Sequence, residues 1–174
     1  VVKSALVTMT MKRSPNRPPK LSHADARGNV RMVDVSQKPD TVREAVAHGY
    51  VRLAPATIRL IRSGEIAKGD PLQTARLAGI MAAKKTSEII PLCHPLALSY
   101  CDVNLRPKRD GYEIEARVRT TGPTGVEMEA LTAVAAAALT IYDMVKAVDR
   151  GVIIDTIRLL EKRGVRSGEL KRRA

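Results

Sequence analysis

Residues 122–146 constrain the fold most strongly, because they form one long segment rich in Ala, Leu, Val and Met with few charged side chains. A helix of this composition usually lies in a protein core, and a buried charge there is costly unless it is paired or contacts a ligand. Gly122 and Pro123 predict a turn, Thr124 is the expected N-cap, and Glu127 completes a capping box. The segment therefore predicts a core helix whose few charges mark a candidate site.

Helical geometry divides this segment into two faces, at about 100° per residue. Glu129 and Asp143 fall on a narrow stripe, together with Thr132, Ala136 and Thr140. The opposite face is predicted to be apolar and consists of Leu131, Val134, Ala138, Ile141, Val145 and Val148. Lys146 lies at the edge of the stripe. It forms with Asp143 either a simple surface ion pair or an acid–base pair of an active site, and the helix alone favours neither reading.

The separation of Glu129 from Asp143 is a geometric constraint. At 1.5 Å of rise per residue they lie about 21 Å apart along a continuous helix. Two groups at that distance cannot close on one small reacting centre. If both serve the same kind of site, we expect a second chain to complete each site.

The composition indicates a single domain with an aliphatic core, since the chain has 174 residues and contains neither Phe nor Trp. The net charge of +12 lies mainly at the ends, because residues 23–161 hold 19 basic and 17 acidic side chains. Basic ends are usually solvated. We expect residues 1–20 to be a disordered basic extension and residues 21–174 to form the domain.

The cysteine pattern excludes two classes of structural support. Cys93 and Cys101 lack the paired spacing of a zinc site or a disulfide framework, so reduced thiols in the cytoplasm are expected. We also expect no metal, no cofactor and no segment of membrane-spanning length.

Periodicity and turn residues predict an α+β order of elements. Beyond an extended stretch near residues 30–35, strands are predicted within residues 43–54 (from Ala45), 98–106, 111–121 and 152–163. Short helices are predicted over residues 57–63, stopped by Gly64, and from Pro71 to about Thr86 with Asp70 as N-cap. This order matches the split βαβ plan of ferredoxin-like folds, an antiparallel sheet packed on helices. Many functions share that fold, so the fold decides none of them.

A second unusual segment runs from Pro91 to Pro95 and contains Leu92, Cys93 and His94. The two prolines restrict the backbone, so this loop can hold an imidazole and a thiol in fixed positions. The alternative is a plain connector in which His94 is merely hydrogen-bonded and Cys93 is packed.

Several cations are weak candidates one by one. Lys68 stands just before a predicted helix N-terminus, a position that suits a phosphate, although a solvated loop lysine is the simpler reading. Arg43, Lys162 and Arg166 are similar. Together with the carboxylates and the Cys-His loop, these cations suit a polyanionic substrate that undergoes proton transfers.

The motifs resemble a known family in their order along residues 21–171. They are MVDVS at 32–36, TVREA at 41–45, KGD at 68–70, TARLAGI at 74–80, IPLCHPL at 90–96, TGPTGVEMEALTA at 121–133, ALTIYDMVKAV at 138–148, RLLEKRG at 158–164 and RSG at 166–168. On these the chain resembles the MoaC family, the cyclic pyranopterin monophosphate synthases of molybdenum cofactor biosynthesis. The resemblance implies a lyase that converts 3′,8-cyclo-7,8-dihydro-GTP to cyclic pyranopterin monophosphate and releases pyrophosphate. It also implies a ferredoxin-like subunit in a homohexamer, a trimer of dimers with sites at subunit interfaces.

The resemblance also implies roles for individual residues. The catalytic positions are Asp143, Lys146 and Lys68. The substrate-binding positions are Leu92, Cys93, His94, Glu127, Met128, Glu129, Lys162 and Arg43. Arg166 departs from the lysine common in the family, which keeps the positive charge but puts a proton-donating role there in doubt.

A basic RNA-binding module of ferredoxin-like fold is the alternative reading. RNA-binding sheets of this plan stack bases on exposed aromatic side chains. Only Tyr100 and Tyr112 lie in the predicted hairpin, and Phe is absent. We therefore expect a small-molecule substrate, no specific nucleic acid and no membrane partner.

Overall fold

A computed structural model of the chain describes residues 28–164 and 170–172. The chain divides into two units, Val1–Arg31 and Met32–Ala174. Of the first unit only residues 28–31 are described, and they are exposed. The predicted disordered extension over residues 1–20 and the residue Arg166 lie outside the described residues.

The second unit alternates strands and helices. The strands are β1 (Thr41–Arg52), β2 (Leu98–Lys108), β3 (Gly111–Gly122), β4 (Ile153–Arg163) and β5 (Leu170–Lys171). The helices are α1 (Pro55–Ser63), α2 (Pro71–Lys84), α3 (Thr86–Ile89) and α4 (Glu127–Val145). The predicted strands and helices are confirmed in type and order. The stretch near residues 30–35 contributes only an isolated bridge at Val30, and the two-residue β5 was not predicted.

One five-stranded sheet organises this unit, in the order β2-β3-β1-β4-β5 with every neighbouring pair antiparallel. The predicted α+β fold, an antiparallel sheet packed on helices, is therefore confirmed. The first four strands have the order of a ferredoxin-like sheet, because each half of the chain contributes a strand, a helical crossing and a second strand.

Alternation along the strands separates a dry face from a charged one. Tyr112, Ile114, Ala116 and Val118 of β3 are at most 2% exposed. The intervening residues point to the opposite face, where Glu44 of β1 forms ion pairs with Arg117 and Arg119. The predicted two-faced sheet is confirmed.

The long helix α4 packs on the dry face, where it contacts β1, β3, β4 and α2. Val134, Ala138, Ile141 and Val145 of its predicted apolar face are fully buried, while Val148 lies beyond the helix and is 56% exposed. Including Val148 in that face was wrong, because the helix ends at Val145 and the chain turns away.

Among the described residues, α4 alone has the length and composition of a membrane span. The expectation that no segment reaches that length is therefore wrong. The physical reason is that the charges of α4 lie at its two ends, so its middle is uncharged and mainly apolar. Half of this apolar stretch of α4 is buried inside the protein, where α4 packs on the sheet as the core helix.

The loop after α4 is tied to the start of α1 by a buried carboxylate. Asp149 accepts hydrogen bonds from the backbone N–H of Ala54 (2.8 Å), from Thr57 Oγ1 (2.9 Å) and from the N–H of Gly151 (2.9 Å). Burial alone would raise the pKa of Asp149, but these three donors hold the pKa below its usual range. The carboxylate thus supplies the side-chain cap that Ala54 lacks.

We predict that Gly49→Ala destabilises the fold by about 1–3 kcal/mol, because an added Cβ would lie 2.5 Å from Val134 Cγ1 of α4. Urea denaturation at a fixed protomer concentration measures this change. Gly122→Ala is the matched control, since the nearest atoms to its Cβ are at 3.8 Å. Equal unfolding free energies for the two variants would contradict the close packing of β1 on α4.

Candidate active site

The structure places the predicted site residues in two groups at opposite ends of α4. The N-terminal group consists of Cys93, Glu127, Glu129 and Lys162. The C-terminal group consists of Lys68, Asp143 and Lys146. Because α4 is continuous from Glu127 to Val145, the two groups stay about 21 Å apart along one rigid helix.

Asp143 is the centre of the C-terminal group. Lys146 Nζ lies 2.7 Å from Asp143 Oδ1, and Lys68 Nζ lies 2.9 Å from Oδ2. Lys68 also donates to the backbone carbonyl of Asp143 at 2.8 Å. Lys68 lies two residues before Asp70, which caps α2 as predicted by accepting from the N–H groups of Leu72 and Gln73.

The two lysines fix the protonation of this group. Hydrogen bonds from Lys146 and then from Lys68 lower the pKa of Asp143 to about 2. The hydrogen bond and the charge of Asp143 in turn raise the pKa of Lys146. At neutral pH the carboxylate is therefore a proton acceptor and the Lys146 ammonium is a proton donor. The three side chains are 44–55% exposed, so a ligand can reach them and solvent screens their attraction.

The N-terminal group begins at a helix end that differs from the prediction. Val126 occupies the N-cap position of α4, and no side chain caps the helix there. Thr124 lies in the preceding bend, so the predicted capping box is wrong. Glu127 instead accepts a hydrogen bond from Lys162 Nζ on β4, at 2.6 Å. Because the N-cap is Val126, Glu127 is the first helical residue rather than the third, and its carboxylate pairs with the Lys162 ammonium instead.

Glu129 is buried at the same end of α4 and is only 4% exposed. Burial, with a smaller contribution from the Glu127 charge, raises the pKa of Glu129 to about 7. Burial and the charges of Glu129 and Glu127 also raise the pKa of the Cys93 thiol. Glu129 is thus partly protonated near neutral pH, and Cys93 remains a thiol rather than a thiolate nucleophile.

In the Cys-His loop, a hydrogen bond holds the His94 imidazole. His94 Nε2 lies 2.8 Å from the carbonyl oxygen of Val33. Because a carbonyl only accepts, Nε2 carries the proton, and Nδ1 of the neutral ring is an acceptor. Leu92 and Met128 are half-buried, one in this loop and the other between the two glutamates.

Arg43 is held by backbone carbonyls. It is 7% exposed and donates to the carbonyls of Gly122 (3.2 Å), Pro123 (3.4 Å) and Gly164. These bonds fix the turn before α4 against the end of β4. The alternation of side chains along β1 could have predicted this role, because Arg43 falls on the same inward face as Ala45 and Ala47. Its predicted part in substrate binding stays a prediction.

The structure therefore brings Glu127 and Lys162 into contact, and likewise Lys68, Asp143 and Lys146. It does not bring Glu129 to Asp143. In residues 28–164 and 170–172, no cluster of three or more His, Cys, Asp and Glu side chains could hold a metal ion. Sequence reasoning missed Asp149, whose role depends on a helix start far away in the chain.

Comparison with known proteins gives one family. A model described as the MoaC family matches residues 32–165. The chain is 61% identical over 154 residues to the cyclic pyranopterin monophosphate synthase of Thermomicrobium roseum, covering 87% of this chain and 93% of that protein. It is 62% identical over 154 residues to the protein of the same name from Chloroflexus aggregans, with the same two shares. For the protein of that name from Pelotomaculum thermopropionicum the identity is 59% over 155 residues, covering 88% and 91%.

We predict a stability that falls as pH rises from about 4.5 to about 7. The pKa of Glu129 is raised from 4.5 to about 7 in the folded state, so the native protein retains a proton that the unfolded chain releases. Glu129→Gln should remove this dependence and stabilise the protein at pH 8 by on the order of 2 kcal/mol. Urea unfolding at pH 5, 6.5 and 8 measures both effects. The control Glu115→Gln should keep the slope of the wild type, and a flat wild-type profile would contradict the prediction.

Proposed function

The chain belongs to the MoaC family, and on that premise we propose that it converts 3′,8-cyclo-7,8-dihydro-GTP to cyclic pyranopterin monophosphate in molybdenum cofactor biosynthesis. The observation that carries the proposal is the identity of about 60% to cyclic pyranopterin monophosphate synthases over nearly the whole length of both chains. The two charged groups on α4 suit this reaction, because the substrate combines a triphosphate with a heterocycle that gains and loses protons.

The proposed reaction is of the lyase type. A hydroxyl of the same molecule bonds to the α-phosphorus and loses its proton, the phosphorus–oxygen bond to the β-phosphate breaks, and pyrophosphate leaves while the α-phosphate remains as the cyclic monophosphate. We assign Lys68 and Lys162 to the phosphate oxygens, because developing charge on the leaving group is stabilised best by cations already in place. Arg43 and Arg166 are further candidates for this part of the site.

Asp143 and Lys146 are assigned to proton transfer. In the free protein the Lys146 ammonium is the donor and the Asp143 carboxylate is the acceptor. A carboxylate held by two lysines is a weak base. Transfer of Lys68 from Asp143 to a phosphate would raise the pKa of Asp143 and make it a stronger base. Substrate binding would thereby make Asp143 a better proton acceptor.

Apart from Lys162, the N-terminal group is assigned to the heterocycle. Glu129 can donate a hydrogen bond in its neutral form, whereas Glu127 accepts one, so together they match an edge that carries both an acceptor and an N–H donor. His94 adds the acceptor Nδ1. Leu92, Cys93 and Met128 offer apolar surface for the flat ring.

Each complete site requires two chains under this proposal. The 21 Å between the groups exceeds what one small substrate bridges, so the N-terminal group of one subunit would meet the C-terminal group of another. Exposed apolar residues on the helix layer, Leu77, Met81 and Leu139, are suited to contacts between copies. We propose a homohexamer, a trimer of dimers in the cytoplasm, with neither a membrane nor a specific nucleic acid as partner.

We predict that Asp143→Asn and Lys146→Ala each reduce turnover at least about 100-fold, because the first removes the proton acceptor and the second removes the proton donor. Pyrophosphate release from the cyclised GTP substrate measures this loss. Lys108→Ala is the control, because it removes a comparable surface charge from the sheet hairpin, where Lys108 pairs with Glu113. Wild-type rates in both site variants would refute the assignment, and an inactive wild-type protein would refute the proposed function.

Mixed oligomers test whether sites are shared. Glu129→Ala and Asp143→Ala subunits, each inactive alone, should recover about a quarter of wild-type activity when co-expressed in equal amounts. In an isologous pair, half of the dimers are mixed, and each mixed dimer has one intact site. Activity is measured on oligomers purified through different tags on the two subunits. Mixed oligomers with no activity would count against sites built from two chains.

A further inference from the structure

Gly125 lies in the turn between β3 and α4, and its backbone does not require glycine. The glycines with left-handed backbone among the described residues are Gly28, Gly64, Gly69, Gly111 and Gly164. Gly125 is not one of them. The reason for a glycine at this position must therefore be the space that a side chain would fill.

That space holds the Glu127 carboxylate. A Cβ added to Gly125 would lie 2.1 Å from Glu127 Oε2 and 3.2 Å from its Cδ. The next atom is Lys162 Cε, at 3.4 Å. Since real Cβ atoms essentially never come within 3.0 Å of another heavy atom, the carboxylate and an alanine at position 125 cannot occupy their places together.

The two oxygens of Glu127 are used differently. Oε1 accepts the hydrogen bond from Lys162 Nζ. Oε2 is buried, and within the described residues it has no hydrogen-bond partner. A buried carboxylate oxygen without a donor is costly.

We propose that Gly125 is a positioning residue for substrate binding. By leaving out a side chain, it makes room for the Glu127 rotamer in which Oε1 orients Lys162 and Oε2 lies against Gly125. This inference rests on the proposed function and adds a residue that acts only through Glu127. The ligand it serves has an anionic group that Lys162 contacts.

Gly125→Ala should separate this role from a structural one. The atom in conflict is the end of a flexible side chain, so the methyl group displaces the carboxylate rather than the backbone. At Gly111 and Gly164, by contrast, a Cβ would come within 2.0 Å of a backbone carbonyl oxygen. We expect Gly125→Ala to keep its melting temperature within about 3 °C of the wild type.

The test follows the Lys162 ammonium by NMR in protein labelled with ¹⁵N-lysine. The Lys162 signal is assigned by its disappearance in Lys162→Arg. Gly125→Ala should shift this signal toward that of Glu127→Ala, in which the partner is absent. When Gly125→Ala is combined with Glu127→Ala, the Lys162 signal should shift no further, because no carboxylate remains to be displaced. Gly122→Ala, at the end of β3 with no atom closer than 3.8 Å to its Cβ, should leave the signal unchanged.

Steady-state kinetics add the functional readout. Gly125→Ala should raise KM for the cyclised GTP substrate at least about 10-fold and change kcat less, because binding geometry is lost while Asp143 and Lys146 remain. An unchanged Lys162 signal, an equal shift in the Glu127→Ala background, an unchanged KM or a melting temperature lowered by more than about 3 °C would each overturn the inference. An inactive wild-type protein would refute the proposed function instead, and the NMR comparison would still decide the role of Gly125.

Discussion

The packing of α4 across the sheet is the contact on which the rest of the structure depends. The helix approaches β1 at Gly49 and α2 at Gly79, where an added Cβ would lie 2.5 Å from Val134 Cγ1 and 2.9 Å from the carbonyl oxygen of Ala133. Glycines on β1 and α2 make this close approach possible. Because the helix is continuous from Glu127 to Val145 and packed against the sheet, it sets both the position and the spacing of the charged groups at its ends.

The two ends of α4 use the same pairing of lysine and carboxylate in different surroundings. At the exposed end, Lys146 and Lys68 lower the pKa of Asp143 to about 2. At the other end, burial raises the pKa of Glu129 to about 7, while its neighbour Glu127 pairs with Lys162. Solvent access thus separates an exposed Asp143 carboxylate that is ionised at neutral pH from a buried Glu129 carboxyl group of mixed protonation. This difference supports the proposal that each site combines the N-terminal group of one chain with the C-terminal group of another.

Much of the fold could be predicted from local sequence signals. The β2–β3 hairpin followed from period-two alternation, the stop of α1 from Gly64, and the start of α2 from Asp70 and Pro71. The failures have a common cause. Thr124 and Glu127 form a good capping pattern, but the pattern contains no information about Lys162, which lies 35 residues away and takes the carboxylate. The apolar middle of α4 likewise has membrane-span composition, and only its packing under the sheet identifies it as a core helix.

The sequence by itself determined the order of elements, the two faces of α4 and the list of candidate site residues, because periodicity, caps and motif order are local properties of the chain. It also determined the 21 Å between Glu129 and Asp143, which needs only an unbroken helix. Tertiary structure alone decided that Lys68 joins Asp143, that Arg43 binds the carbonyls of Gly122 and Gly164, and that Gly125 makes room for Glu127. The contacts of Lys68 and Arg43 join residues separated by long stretches of chain, up to 121 positions for Arg43 and Gly164, and the space beside Gly125 depends on how its turn folds. The protonation and the positions of these side chains depend on burial and on partners that come together only once the sheet and α4 have packed.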